Sequence, residues 1–553
     1  MSFPVFLVVA AVISGATVVG AWRLREQLFY ALAAVAFGGT VLLFVHGPLY
    51  FDYYADDGFI TLRYSRNLAD GLGPVWNSGE RVEGYTTFLW MLIHAGFAKA
   101  GFNLVSVSLA LSLVSLIATM LLVTGLWRVL ASEEPEKTML RSPVVPAVAV
   151  LALGLVDGVS FWGFSGMETP LIMALIMASA YLSVLERRGQ APFYTSAVAL
   201  AAAAMTRPEA LVLVPVTGVF KLWAAIASEN RARELRRVAM WGALFAGLYG
   251  AYFLWRYNYY GEFFPNTYYA KVEGTLNVLR RGSDYVRSNG LNYQMLPLLI
   301  GLGILAANKR TRMDGAYLLA LVGAWFAAVA YEGGDGFPHG RFIVPVLPLL
   351  FLGGLYGLTI LLEWVTRSNS RRLAGLAPAL VLGCLVLAAT PWDDGVSPVL
   401  RGERRTPQER RELGLWLKHT VPADYTVGVY AAGAVSYYSE LPTLDLFGLN
   451  DAIIAHTAVD DFGLGIPGHE RYNLDYVLEV ARPNIIVMTD AGPILPNRES
   501  WERSPPGPIA GINFLIHDPR LWEQYEPVSI EYKDDTWFNF LVRWDSLGPF
   551  RQR

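Results

Sequence analysis

The chain has 553 residues, 54% hydrophobic and only 16% charged, whereas soluble domains run to about 45–50% apolar and about 25% charged. An ordinary soluble enzyme is therefore excluded, and a net charge of −3 argues against a nucleic-acid binder, which needs a basic face. The single cysteine, Cys384, lies in an apolar run, so neither a disulfide framework nor a cysteine-based zinc site is available.

Residues 1–391 read as a membrane module and residues 392–553 as a soluble α/β domain. Apolar segments near 3–21, 28–50, 104–127, 143–162, 169–185, 192–205, 209–226, 238–255, 291–307, 315–331, 342–362 and 373–391 predict about 11–12 spans, most of them near the 20 residues a helix needs to cross hydrocarbon. The first lacks a basic n-region, since Arg23 and Arg25 follow it, and so reads as a span rather than a signal peptide. The short segment 192–205 is expected to tilt, or to stop partway and turn back near Thr206-Arg207-Pro208.

Basic residues assign the sides. Arg23/Arg25, Arg128/Lys137/Arg141, Arg187/Arg188, Lys221 with Arg231–Arg237, Lys309/Arg310/Arg312 and Arg367/Arg371/Arg372 fall in alternate breaks, which the positive-inside rule puts in the cytoplasm. The remaining breaks, 51–103, 163–168, 206–209, 256–290 and 332–341, are richer in acids and face outward with the C-terminal domain. Counting Thr86–Gly101 as a span would invert every later loop. It is expected instead as a helix in the outer interface, carrying Trp90, His94 and Lys99.

The outward loops hold the chemistry. The first runs Asp52-Tyr53-Tyr54-Ala55-Asp56-Asp57-Gly58-Phe59 and continues through Arg63 to Glu83-Gly84-Tyr85-Thr86. Adjacent carboxylates beside hydrocarbon point to proton transfer or cation binding; the plainer alternative is that one of them caps a helix beginning at Phe59. Glu168 stands in a turn at the mouth of a span. Arg207 and Glu209 form a pair near membrane depth that is equally compatible with a structural ion pair. Asn266 and Lys271, in an aromatic stretch, add donors suited to a phosphate or sugar. Glu332-Gly333-Gly334-Asp335-Gly336-Phe337-Pro338-His339-Gly340-Arg341 joins Asp, His and Arg to four glycines that would let backbone approach a ligand closely.

A polyprenyl-phosphate sugar suits this layout, with its tail among the spans, its phosphate on Arg or Lys and its sugar beside a carboxylate. Cations must stabilise the charge that develops on the leaving phosphate. A carboxylate must take the acceptor hydroxyl proton or attack the anomeric carbon, in an inverting or a retaining reaction. Asp56 and Asp57 are the candidates for the carboxylate role; Arg207, Lys271 and Arg341 are those for the phosphate. No cofactor is needed; a divalent cation on the aspartates with Asp335 or His339 is the less favoured option. A glycolipid transporter or a non-catalytic envelope-assembly protein is the alternative, and no internal repeat of the transporter kind is found.

The ordered motifs resemble the GT-C superfamily of membrane glycosyltransferases and, more narrowly, the AftB-type arabinofuranosyltransferases. The resemblance rests on Asp56-Asp57-Gly58-Phe59-Ile60 with Arg63-Tyr64, Arg81-Val82-Glu83-Gly84-Tyr85-Thr86, Gly166-Met167-Glu168-Thr169 and Arg207-Pro208-Glu209. It continues in Pro265-Asn266-Thr267, Tyr269-Ala270-Lys271, Gly333-Gly334-Asp335, His339-Gly340-Arg341 and Asp445-Leu446-Phe447-Gly448-Leu449-Asn450-Asp451. It implies a GT-C-like module of the bacterial plasma membrane with an extracytoplasmic α/β domain, a polyprenyl-phosphate arabinofuranose donor and an arabinan-like or other surface-glycan acceptor. It also implies Asp56 or Asp57 as base or nucleophile, with donor binding by Arg63, Glu83, Glu168, Arg207, Glu209, Asn266, Lys271, Asp335, His339 and Arg341. Two spans before the acidic loop depart from the usual single one.

In the C-terminal part, 426–433 and 484–489 read as short buried strands, with helical patterns at 406–419 and 471–481. Gly428 and Gly433 do not form a dinucleotide fingerprint, and His419, His456, His469 and His517 match no metal spacing. A scaffold or acceptor-guiding domain is expected.

Overall fold

A computed structural model describes residues 3–47, 54–135, 138–293, 295–368, 398–503, 509–533 and 535–550. The expected span at 373–391 with Cys384, the boundary at 391/392, Asp52, Tyr53, Lys137, Arg371 and Arg372 lie outside the described residues.

The described residues up to Ser368 are mainly helical. α1 (Phe3–Arg23) and α2 (Leu28–His46) precede α3 (Asp56–Ala69), α4 (Phe88–Lys99) and α5 (Leu104–Ala131). There follow α6 (Val144–Leu155), α7 (Asp157–Phe164), α8 (Thr169–Arg187), α9 (Thr195–Thr206), α10 (Leu213–Ala227) and α11 (Arg231–Tyr260). α12 (Asn266–Lys271), α13 (Leu276–Asn292), α14 (Met295–Ala307), α15 (Arg312–Tyr331) and α16 (Leu347–Ser368) complete this part. The protein is a multi-pass membrane protein: among the described residues, 7 helices are long and apolar enough to cross a bilayer, or up to 9 if each of two bent pairs is one span.

That is fewer than the apolar runs predict. Segment 143–162 is α6 and α7, bent by 62° at Val156, and 291–307 is α14, which meets α13 at 90°. Segment 192–205 is the 12-residue α9, which stops at Thr206 before Arg207 in extended conformation. The backbone then re-enters a helix through the short turn Pro208–Val212. Thr86–Gly101 does not cross either: α4 has 12 residues, about 18 Å against the roughly 30 Å of hydrocarbon. Trp90 and His94, however, face protein rather than the interface. His94 donates from Nδ1 to the Trp90 carbonyl at 2.8 Å and meets Ser108 Oγ at 2.9 Å, because α4 packs against α3, α5 and α9.

Several hydroxyls inside the bundle are satisfied by their own helix. Ser108, Ser115 and Thr119 of α5 donate to carbonyls four residues back, the usual solution for hydroxyls in an apolar helix. α6 lies at the centre, buried from Val145 to Leu155. α14 and α16 cross closely because Gly301, Gly354 and Gly357 lack side chains; a Cβ on Gly357 would fall 1.7 Å from the Gly301 carbonyl oxygen.

After α17 (Pro398–Thr420) comes a five-stranded sheet in the order β2-β1-β3-β5-β4. β1 (Val427–Val429) pairs in parallel with β2 (Thr443–Asp445) and β3 (Ile485–Val487). β5 (Thr536–Arg543) runs antiparallel to β3 and to β4 (Tyr525–Lys533). The reading of 426–433 and 484–489 as strands holds for β1 and β3. The three-residue β2 is too short to carry a periodic signal; the β4–β5 hairpin was missed although Val528-Ser529-Ile530-Glu531-Tyr532 alternates apolar and polar. The sheet's core is not separate: Leu413, Val427, Val487 and Phe540 belong to one apolar cluster with Ile60, Tyr64, Trp76 and Tyr85 of the first outer loop.

Candidate active site

The acidic pair opens α3, yet neither aspartate caps it. The N-cap is Ala55, with no side-chain cap bond. Asp56 instead accepts N–H groups from the far end of the chain, Gly433 at 2.9 Å and Ala434 at 3.0 Å, and pairs with Arg410 at 3.3 Å. Asp57 turns the other way. Its carboxylate stands 3.5 Å from the Arg341 guanidinium and is a quarter exposed.

Around Asp57 the outer loops converge. Arg341, buried, pairs with Asp335 at 2.7 Å. Arg207 pairs with Glu168 at 2.9 Å and with Glu209. The Phe342 ring lies between the two guanidiniums, at 4.4 Å from that of Arg207 and 4.9 Å from that of Arg341, so its π faces offset the proximity of like charges. Burial lowers the Lys271 pKa, with Asp57 and Asp335 pulling it up and Arg341 and Arg207 pushing it down. Burial, then the charge of Glu209, raises the Glu332 pKa well above the carboxylate range, against the pull of Arg207 and Lys271. Among the described residues no three His, Cys, Asp or Glu side chains gather as a metal site requires.

Two cavities meet here. The larger, about 1120 Å³, is lined mainly by apolar groups, including Phe245, Tyr249, Tyr252 and Phe253 of α11 and Ala324, Ala327 and Ala328 of α15. Its rim includes the exposed Phe263, Phe264 and Tyr331. Its polar end carries Glu168, Arg207, Glu209, Glu332 and Arg341. The smaller, about 280 Å³, is lined by Asp56, Arg410, Tyr430, Asp445, Phe447, His469 and Asp490. It lies beyond the carboxyl ends of β1, β2 and β3, where parallel α/β sheets place ligands as the strand order reverses. Asp57, Ile60, Lys271, Asp335, Leu449 and Pro467 line both cavities and form the waist between them.

Of the residues expected to bind donor, Glu168, Arg207, Glu209, Lys271, Asp335 and Arg341 line the larger cavity. Arg63, Glu83, Asn266 and His339 line neither cavity. Arg63 is used up on structure, donating to the carbonyls of Trp76, Ser436 and Leu441 and to Asn77. Glu83 accepts from Arg256 at 2.6 Å, and burial raises its pKa to about 8 against the pull of that arginine. Asn266 donates to the carbonyls of Gly448 and Leu449, fastening α12 to the Asp445–Asp451 motif. His339 Nδ1 meets Asp157 at 2.6 Å, and its carbonyl accepts from Trp162 and Tyr293. Of the neighbouring glycines, Gly333 and Gly334 have φ of 88° and 73° and press on Arg281 and Tyr285 of α13, while Gly334 also lines the larger cavity and Gly336 the smaller one.

Sequence reasoning missed Arg256, Glu332, Arg410, Tyr430 and Asp490. Arg256 sits in an apolar span and lines the larger cavity, with its Nη2 buried and unpartnered among the described residues. An arginine directly after the apolar run 238–255 is the signal that could have found it. Arg410 and Asp490 lie in unremarkable soluble sequence and carried none.

Comparisons with known proteins follow the same outline. A family described as a domain of unknown function, DUF8728, matches residues 400–541. Over 399 residues the chain is 30% identical to the terminal beta-(1->2)-arabinofuranosyltransferase of Mycobacterium tuberculosis, covering 65% of this chain and 60% of that protein. The protein of the same name from Corynebacterium glutamicum is 29% identical over 337 residues, 54% of this chain and 46% of that one. The chain thus matches 60% and 46% of the lengths of these relatives. The crystal structure of apo ArnT from Cupriavidus metallidurans is similar with a TM-score of 0.52 at 15% identity, over 94% of this chain and 98% of that one. Its complex with undecaprenyl phosphate gives 0.52 at 14% identity, over 92% and 97%. At such identities the likeness is one of fold, and it is the GT-C-like fold that the motifs led one to expect.

Proposed function

We propose that this chain transfers a sugar, arabinofuranose, from a polyprenyl-phosphate donor to a cell-envelope glycan at the outer face of the bacterial plasma membrane. The observation that carries the reading is the waist: one open carboxylate, Asp57, among cations, between a large apolar cavity and a small polar one. The apolar cavity suits the polyprenyl chain, and its charged end suits the phosphate. The polar cavity suits an acceptor sugar. ArnT, whose fold this chain shares, has been crystallised with undecaprenyl phosphate, and the relatives named as arabinofuranosyltransferases support the choice of sugar.

In this reading the acceptor hydroxyl oxygen bonds to the anomeric carbon as the bond from that carbon to the phosphate oxygen breaks. Asp57 takes the hydroxyl proton; a retaining variant would have Asp57 attack first and form a glycosyl-enzyme. Arg341, Lys271 and Arg207 stabilise the charge gathering on the departing polyprenyl phosphate. Glu168, Glu209 and Asp335 hold the two arginines in place. The basic breaks face the cytoplasm, while residues 51–103 and 392–553 form the extracytoplasmic side.

The test is transfer by purified protein in detergent, from polyprenyl-phosphoryl-arabinofuranose to an oligoarabinan. Asp57→Asn should slow transfer by about 10²–10⁴-fold while still binding polyprenyl phosphate. Transfer that survives undiminished in both Asp56→Asn and Asp57→Asn would sink the site assignment. Failure of the unmodified protein with several lipid-linked sugars would overturn the transferase reading.

A further inference from the structure

Asp56 is held from the other end of the chain. Gly433 donates to its Oδ2, Ala434 donates to its Oδ1, and Arg410 Nη1 lies 3.3 Å from Oδ1. The approach tolerates only glycine at position 433: an added Cβ would fall 1.9 Å from the Asp56 carbonyl oxygen and 2.6 Å from its Oδ2. Arg410 is in turn fixed from behind. Its Nε donates to Asp490 at 2.7 Å, and its Nη2 donates to Asp490 at 3.2 Å and to the Tyr430 hydroxyl at 2.7 Å. Each guanidinium nitrogen therefore has a protein partner, so Arg410 serves as a joint rather than a ligand hand. It ties the residues that follow β1 and β3 to the first turn of α3.

Asp57 is the next residue on that turn. Among the described residues its carboxylate has one ion pair, with Arg341 at 3.5 Å, so its direction is set mainly by how its neighbour is anchored. We propose that Arg410 of the C-terminal domain is a positioning residue for the reaction: through Asp56 it aims Asp57 at the waist, and the site is incomplete without that domain. The assignment rests on the transferase reading above. A reactive carboxylate displaced by about 1 Å loses on the order of a hundred-fold in rate, while the lipid-binding cavity, which Arg410 does not line, is unaffected.

The experiment compares the full chain with Arg410→Ala, Arg410→Lys and Asp490→Asn in steady-state transfer. The expected result for Arg410→Ala is a kcat lower by about a hundred-fold with the donor KM unchanged and partial rescue by methylguanidinium. Arg410→Lys and Asp490→Asn should fall between it and the unmodified protein. A kcat close to the original, or a loss of kcat matched by loss of polyprenyl-phosphate binding and unrescued by methylguanidinium, overturns the proposal. Amide hydrogen exchange supplies a readout that needs no activity: Gly433 and Ala434 should exchange faster in Arg410→Ala. Unchanged exchange refutes the clamp even if transfer is seen. Faster exchange in a protein that transfers no sugar confirms the clamp and puts the failure on the transferase reading.

Discussion

Two buried ionic clusters occupy opposite ends of the bundle, and their contrast separates a site from a fastening. At the end of the basic breaks, Asp314 of α15 accepts from Arg187 at 3.1 and 2.8 Å and from Arg188 at 2.8 Å. Glu133 joins Arg188 at 3.2 Å, and Glu134 joins Arg310 at 3.2 Å. None of these residues lines either cavity. At the other end, Asp57, Lys271, Asp335 and Arg341 stand round the waist where the cavities join. Both clusters bury opposite charges, so buried charge alone identifies nothing. The outer cluster differs in facing space that a ligand can fill, and in holding a carboxylate, Asp57, whose one ion pair among the described residues is long, at 3.5 Å.

Exchanging a carboxylate for its amide at each end breaks the comparison most sharply. Asp57→Asn should lower kcat by about 10²–10⁴-fold, the range expected for loss of a general base, and leave thermal stability nearly unchanged because the group is partly solvated. Full activity in this variant would put the chemistry elsewhere. Asp314→Asn should do the reverse: removing one partner of a buried pair costs about 3–5 kcal/mol, read as a lower melting temperature in detergent, with kcat per folded molecule preserved. A large kcat defect with normal stability would contradict the division.

A pH profile sharpens the contrast further. Since Lys271 has a lowered pKa, its charge is lost as pH rises through a value below the usual lysine figure of about 10.4. The kcat/KM profile should therefore fall on its alkaline side below that value. Lys271→Arg, which keeps its proton, should move the limb upward; an unmoved limb would remove Lys271 from phosphate binding. The smallest effect is expected from Phe342→Leu, which takes away the ring between Arg207 and Arg341. A loss of about 1 kcal/mol, or roughly five-fold in donor KM, is anticipated, and no change would show that the two guanidiniums need no screen.

Much of the fold was legible because bilayers impose simple constraints. Scarce charge, run length and the alternation of basic breaks led to a polytopic module with its polar groups gathered in the outer loops. At α9 the expected stop near Thr206 is met, while at the α6–α7 pair composition matched a straight span and the backbone bends by 62°. The candidate residues were legible as types. Arg63, Glu83, Asn266 and His339 have the same chemistry as Arg207, Glu168 and Lys271, but their hydrogen-bonding capacity is directed to carbonyls and counter-charges that no local pattern reveals. Arg410 stayed hidden because nothing in a soluble helix marks which arginine will meet a carboxylate 354 positions earlier, a separation set only by folding.

The adjacent aspartates show the division most clearly. The sequence alone determined that two carboxylates would stand just beyond a span, where the low dielectric makes such charges costly without a use. It could not rank them, because consecutive residues on a helix point about 100° apart and either direction is open until something packs against that turn. The tertiary structure decided it: the turn after β1 supplies two N–H donors and α17 an arginine on the Asp56 side, and Asp57 is left facing the space between the cavities.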